Sequence, residues 1–161
     1  MNTYKETIEV RIPEILKECS EPNWDSYHAE PVSKIALDRT VEILKRLEMI
    51  DVPCPEVYAD ADGDVELGWN WSKGDWRIPL DKQERYAWEI IIVISNHNLD
   101  GPSTDEEANG YKCMFFESDN REGVSKNGTK NFHLYFNYED EFSKEMVDKL
   151  NQLKEWKGKI P

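Results

Sequence analysis

Tyr86-Ala87-Trp88-Glu89-Ile90-Ile91-Ile92-Val93-Ile94 is the most hydrophobic stretch of the chain. β-branched and aromatic side chains suit a pleated strand. The apolar run is far too short to cross a bilayer. From Ile90 onward the apolar/polar alternation is lost, which predicts a central strand covered on both faces. Upstream, Val65, Leu67, Trp69 and Trp71 alternate with Glu66, Gly68 and Asn70, the pattern of a half-buried strand. Asp62-Gly63 is a tight-turn dipeptide that joins this strand to a short one over Glu56 to Ala59. Downstream, Lys112 to Glu117 and Phe132 to Asn137 read as strands, with Asn127-Gly128 as a second hairpin signal between them. Strands that follow one another without helical crossovers pair antiparallel.

Helical spacing flanks these strands. Ser33 is suited to cap a helix because its hydroxyl can accept from a free N–H of the first turn. Ala36, Leu37, Val41, Ile43, Leu44 and Leu47 then form one apolar face, opposite Asp38, Arg39, Glu42, Lys45 and Arg46. Pro53 and Pro55 forbid continuation. Met146, Val147, Leu150, Leu153 and Trp156 give a further amphipathic helix. Near the start, Tyr4, Ile8, Ile12, Ile15 and Leu16 fit a helical face to about Cys19, although Thr7 to Ile12 also alternates as a strand would. Pro13 either kinks that helix or sits in the first turn of a shorter one. The expected fold is therefore α+β: an antiparallel β-meander sheet of about four to six strands. Helices at the N-terminus, at 33–49 and at 143–156 pack mainly on one face. The chain, 1–161, is expected to be a single domain, with a mobile loop over the polar, Gly/Pro-punctuated segment 99–110.

The formal net charge of −13 repels nucleic-acid phosphates and anionic membranes, and no Lys/Arg cluster offsets it. Direct nucleic-acid binding and membrane association are not expected. Cys19, Cys54 and Cys113 are odd in number and lack any metal-ligand spacing, so free thiols in a reducing cytoplasm are expected. Met1 to Glu6 has no apolar signal-type run. The N-x-[ST] triplets at Asn70 and Asn127 are then chance matches.

Asn23-Trp24-Asp25-Ser26-Tyr27-His28-Ala29-Glu30-Pro31-Val32-Ser33 leads into the second helix with two large aromatics, an acid and a proline. This reads as a packed elbow. Trp24-Asp25-Ser26-Tyr27-x-Ala29-x-Pro31-x-Ser33, the Leu-rich helix, Pro55-Glu56-Val57 and Asp62-Gly63-Asp64-Val65-Glu66-Leu67-x-Trp69 together resemble a widespread uncharacterised family of small bacterial proteins. That family has a WDxYGAxP element, a helix, a DGxVxLxW hairpin, further strands and a C-terminal Leu-rich helix. The resemblance covers roughly residues 20–72, and the end near Met146 to Trp156 more loosely. The chain departs from it with His28 where Gly is usual and with a long region from Asp81 to Asn131. The resemblance implies a bacterial or phage setting and an α+β domain; it supplies no catalytic residues.

Candidate binding residues are Trp24, Asp25, Tyr27 and His28 of the elbow, and Trp76. Asp25 and His28 are an acid/base pair if they line a pocket; otherwise Trp24 and Tyr27 pack on the helix while Asp25 accepts from nearby N–H groups. Trp69, Trp71 and Trp88 are either core or a stacking platform. Asp51, Glu56, Asp60, Asp62, Asp64 and Glu66 belong to a stretch, Leu47 to Ser72, that contains no Lys or Arg. They form either a solvated face or an acidic surface facing a basic partner. Asp60-Ala61-Asp62-Gly63-Asp64 has Val65 and Trp71 where a calcium loop needs Gly and Glu, so a hairpin turn is expected and no metal. His97 and His133 are isolated from other ligand-type residues. No nucleophile, phosphate-loop or zinc signature is present, so no catalytic residue and no cofactor is assigned.

These observations lead to the expectation of a non-catalytic cytoplasmic protein-interaction module, its partner another protein or a second copy. The alternatives are an acidic nucleic-acid-mimicking inhibitor of a basic protein, and a small enzyme with its site near the Trp24–His28 elbow.

Overall fold

In a computed structural model, residues 3–73, 85–95, 110–120, 129–137 and 141–156 are described. The elements are α1 (Tyr4–Glu6), a π-helical turn (Thr7–Arg11), α2 (Ile12–Cys19), α3 (Lys34–Met49), β1 (Glu56–Ala59), β2 (Val65–Lys73), β3 (Arg85–Ile94), β4 (Gly110–Asn120), β5 (Thr129–Asn137) and α4 (Lys144–Trp156). The strands form one antiparallel sheet in the order β1-β2-β3-β4-β5. This is the expected meander, with β3 at its centre. The loop expected at 99–110 lies outside the described residues except for Gly110, which opens β4. Trp76 and His97 lie outside them as well.

Pro13 resolves the ambiguity of the first segment. Thr3 and Glu6 form a capping box that starts the helix. A proline in a helix interior removes one N–H and clashes with the carbonyl four residues back. The turn ahead of Pro13 widens to a π-helix, with Ile12 N–H donating to Thr7 O, and Pro13 then occupies the first turn of α2. This is the second of the two sequence alternatives, Pro13 in the first turn of a shorter helix, with the π-helical turn joining it to α1. Ile12, Ile15 and Cys19 are buried, whereas Leu16 points outward. Ser33 caps α3 as expected, its Oγ accepting from Ala36 N at 3.1 Å. Ser143 does the same for α4 through Met146 N at 3.2 Å.

Register divides the sheet into two faces. Val57, Val65, Leu67, Trp69, Ile90, Ile92, Ile94, Tyr111, Cys113 and Phe115 point to the inner one. They join a single core with Leu37, Ile43, Leu44 and Leu47 of α3, and Met146, Leu150 and Leu153 of α4. The helices thus pack on one face. Among the described residues helices cover one face of β3: Ile90, Ile92 and Ile94 are fully buried, while Ile91 and Val93 between them are half-buried and lie outside the core. The expected cover is thus present on the inner face. The unbroken apolar run reflects the β-branched preference of the strand and lateral packing across its neighbours.

Backbone carbonyls outside the sheet ladder find side-chain donors. Arg11 Nε donates to Val57 O at 2.9 Å, occupying the outer edge of β1. Between α3 and β1, Pro53 O accepts from Trp69 Nε1 at 2.7 Å and Tyr4 Oη at 3.3 Å, and Tyr4 Oη also donates to Val52 O at 2.9 Å. One proline carbonyl thus ties the first helix, the linker and β2 together. Tyr4→Phe is expected to cost about 1 kcal/mol, the usual net worth of one hydrogen bond. In urea melts, Tyr4→Phe combined with Trp69→Phe should cost more than the sum of the two singles, because only the double variant leaves Pro53 O without a donor. Strict additivity would show that the shared carbonyl does not couple them.

Candidate functional site

The elbow between α2 and α3 is built from local hydrogen bonds. Asn23, Ser26 and His28 have φ of 62, 65 and 67°, a left-handed conformation that side chains with a Cβ adopt at a cost. Asn23 N–H donates to Ala29 O at 2.8 Å, and Asn23 Oδ1 accepts from His28 N at 2.7 Å. Asp25 Oδ1 accepts from Tyr27 N at 2.8 Å and Ala29 N at 3.0 Å. Trp24 is half-buried against the core and donates its Nε1 proton to Glu30 O at 2.8 Å. Asp25 and Trp24 therefore hold the loop in shape, and no hydrogen bond joins Asp25 to His28. Tyr27, 85% exposed, and His28 point to solvent. The structure does not draw these four residues around a common centre. A Gly at position 28 would adopt this φ without that cost.

The elbow also docks onto the β1–β2 turn, where Glu30 N–H donates to Ala61 O at 2.8 Å. In that turn Gly63 N–H donates to Asp60 O, Asp60 N–H donates to Asp64 O, and Asp60 Oδ1 accepts from Asp62 N at 2.9 Å and Asp64 N at 3.1 Å. Gly63, at φ 81°, is required by this geometry. The turn is the hairpin that Asp62-Gly63 announced. The Asp60, Asp62 and Asp64 carboxylates lie within 4.8 Å of one another, but Asp60 already spends one oxygen on the backbone.

The remaining acids fall into two groups. Glu48 and Asp51 lie where they help push the Tyr4 phenol upward, after burial. Asp51, at φ 58°, terminates α3, its N–H donating to Glu48 O. Glu56 and Glu66 stand on the outer face of the sheet with Glu89, a residue outside the acid-only stretch. Burial and then these three carboxylates raise the pKa of Tyr58. The Tyr58 ring leans over Gly68, and a Cβ at Gly68 would meet its hydroxyl. Burial, then the surrounding carboxylates, raise Glu66, which shares a hydrogen bond with Asp60; Asp60 is raised as well, chiefly by burial. This Tyr58-centred group was not assigned from sequence. The available signal was a glycine in mid-strand, which marks a close approach.

Half-buried apolar residues continue the outer face. By register, Glu56, Gly68, Ile91, Met114 and His133 form one row across the strands, and Tyr58, Glu66, Val93, Lys112 and Tyr135 the next. Trp69 is a core residue. Trp71 and Trp88 are register partners on β2 and β3. The three thiols offer no activated nucleophile: burial pushes Cys19, Cys54 and Cys113 upward, and Cys54 Sγ lies 3.3 Å from Thr7 Oγ1. Among the described residues no helix is long and apolar enough to cross a membrane.

Comparison with known proteins finds no matching family model, no matching curated protein and no matching solved structure.

His28→Gly is expected to raise stability by about 0.5–1 kcal/mol, the left-handed strain relieved less the entropy of the added glycine. A higher urea midpoint at unchanged slope would show it. Glu66→Gln tests the carboxyl pair. Because the folded state holds Glu66 and Asp60 above the ordinary carboxyl range, it binds more protons than the unfolded chain just above that range. Their contribution therefore declines as pH rises through the folded values and returns on acidification. Glu66→Gln should melt above wild type at pH 7, with the difference vanishing toward about pH 4, where free carboxyls protonate. A pH-independent difference would exclude the shared proton as its cause.

Proposed function

We propose that this chain is a non-catalytic protein-interaction module of a bacterial or phage cytoplasm, working through the outer face of its sheet. The observation that carries this reading is the row of half-buried apolar side chains, Ile91, Val93 and Met114, which lies outside the core while the helices cover the opposite face. A partner laid on this face would bury the apolar area that the core leaves half-exposed.

An enzyme at the elbow is the weaker reading, since Asp25 Oδ1 accepts from two backbone N–H groups and the hydrogen bond that His28 makes among the described residues is through its backbone N–H. Nucleic-acid mimicry is weaker as well. A mimic needs carboxylates in line along one rigid face, and the acid-only stretch is divided between the Tyr4 and Tyr58 groups.

A photo-crosslinking residue placed at Ile91, in the host that naturally makes the protein, should give a discrete protein adduct. The same residue at exposed Glu145 of α4 should not. No adduct from Ile91, or identical adducts from both positions, would overturn the reading.

A further inference from the structure

The outer sheet face is chemically two-sided. On the β1–β2 side stand Glu56, Glu66 and the tip of Tyr58, with Asp60 and Asp64 at the turn and Glu89 two residues along β3 from Ile91. Glu56, Glu66 and Glu89 are close enough to act together on the Tyr58 phenol, and Glu89 acts on Glu66. Their mutual repulsion is unfavourable, as the raised values of Glu66 and Tyr58 record, so a cation brought here gains from all of them. Toward β4 stand Ile91, Val93 and Met114. Adjacent strands lie roughly 4.8 Å apart, so β1 to β4 spans about 14 Å, enough to seat one helix roughly 10–12 Å wide. Lys112 of β4 stands in the same row as Glu66 and Val93, on the side of the face away from β1.

We propose that this face receives an amphipathic basic segment of a partner protein, with its Lys or Arg side chains on Glu56, Glu66 and Glu89 and its apolar stripe on Ile91, Val93 and Met114. The proposal rests on the interaction reading above and names the chemistry of the partner. The acids supply attraction and orientation. The Tyr58 ring, held flat by the absence of a side chain at Gly68, offers a face to an arginine. A second copy of the chain is the less suitable occupant, because each copy carries a net charge of −13 and would repel its like. Nucleic acid and anionic lipid are disfavoured by the same sign.

The probe is a synthetic helical peptide of leucine and lysine in amphipathic order, compared with one in which serine replaces leucine and one in which glutamate replaces lysine. The readout is the methyl NMR spectrum of the full chain. The leucine/lysine peptide is expected to shift Ile91, Val93 and Met114 and leave Ile92 and Leu44 in place. Glu56→Gln, Glu66→Gln and Glu89→Gln together should weaken it about tenfold, the loss expected of three exposed charge pairs. At pH 7 the triple variant should melt no lower than wild type, so weaker binding is not loss of fold, and Gly68→Ala, which pushes the Tyr58 ring aside, should weaken an arginine-substituted peptide.

Equal binding of the serine/lysine peptide would overturn the apolar half of the proposal. Equal binding of the leucine/glutamate peptide would overturn the basic half. Methyl shifts that grow with protein concentration alone would assign the face to a second copy instead. If Ile91 cross-links a partner in the host while no basic peptide binds, the partner class is wrong and the interaction reading stands. If Ile91 gives no adduct, that reading itself has failed.

Discussion

Ile90, Ile92 and Ile94 lie at the centre of the sheet beneath α3 and α4, and the fold is organised by the need to keep that stripe dry. Each fully buried isoleucine contributes roughly 1.5–3 kcal/mol, and the three stand on the one strand that has two neighbours on either side. Leu44 and Leu47 of α3 and Met146 and Leu150 of α4 complete the cover. Because the side-chain period of a strand is two, the same backbone that buries these three residues turns Ile91 and Val93 to the opposite face. The outer surface discussed above is thus a direct consequence of the core.

Around this core, polar groups of the backbone are satisfied by side chains that are themselves mostly apolar. Tyr4 and Trp69 meet at Pro53 O, Trp24 reaches Glu30 O, and Arg11 reaches Val57 O. Buried carbonyls outside helices and sheets need such donors. Aromatic residues serve because one end packs and the other donates. This explains how a chain with 33% charged residues holds its linkers in place with few ion pairs among the described residues; the Arg11–Glu14 pair, at 3.6 Å on the surface, is not what fastens them.

The elbow and the β1–β2 turn, two pieces of the resemblance separated by about thirty residues in sequence, are joined by the Glu30 N–H to Ala61 O bond. Asp25 and Asp60 play equivalent parts, each giving one carboxylate oxygen to two backbone N–H groups. Each carboxylate thereby fixes the local chain geometry. On the outer face of the sheet the carboxylates are Glu56, Glu66 and Glu89.

Local rules were sufficient for much of this. Ser33 as a cap, the spacing of Leu37, Leu44 and Leu47, the prolines after α3 and the Asp62-Gly63 turn each depend on residues a few positions apart, and the antiparallel meander follows from strands without crossovers. Other features depend on residues that meet only through folding. The periodicity of Ile90–Ile94 does not say which face is covered, because an apolar residue tolerates either. Pro13 leaves open whether one helix kinks or a shorter one begins; the π-helical turn that precedes it was not legible, and contacts such as Thr7 with Cys54 accompany that turn. The grouping of acids was the furthest from view: Glu89 lies more than twenty residues from Glu66, yet strand register sets both beside Tyr58, while Asp51, nearer in sequence, is carried to the other side with Tyr4. Charge acts through space, and only the sheet determines which charges are neighbours.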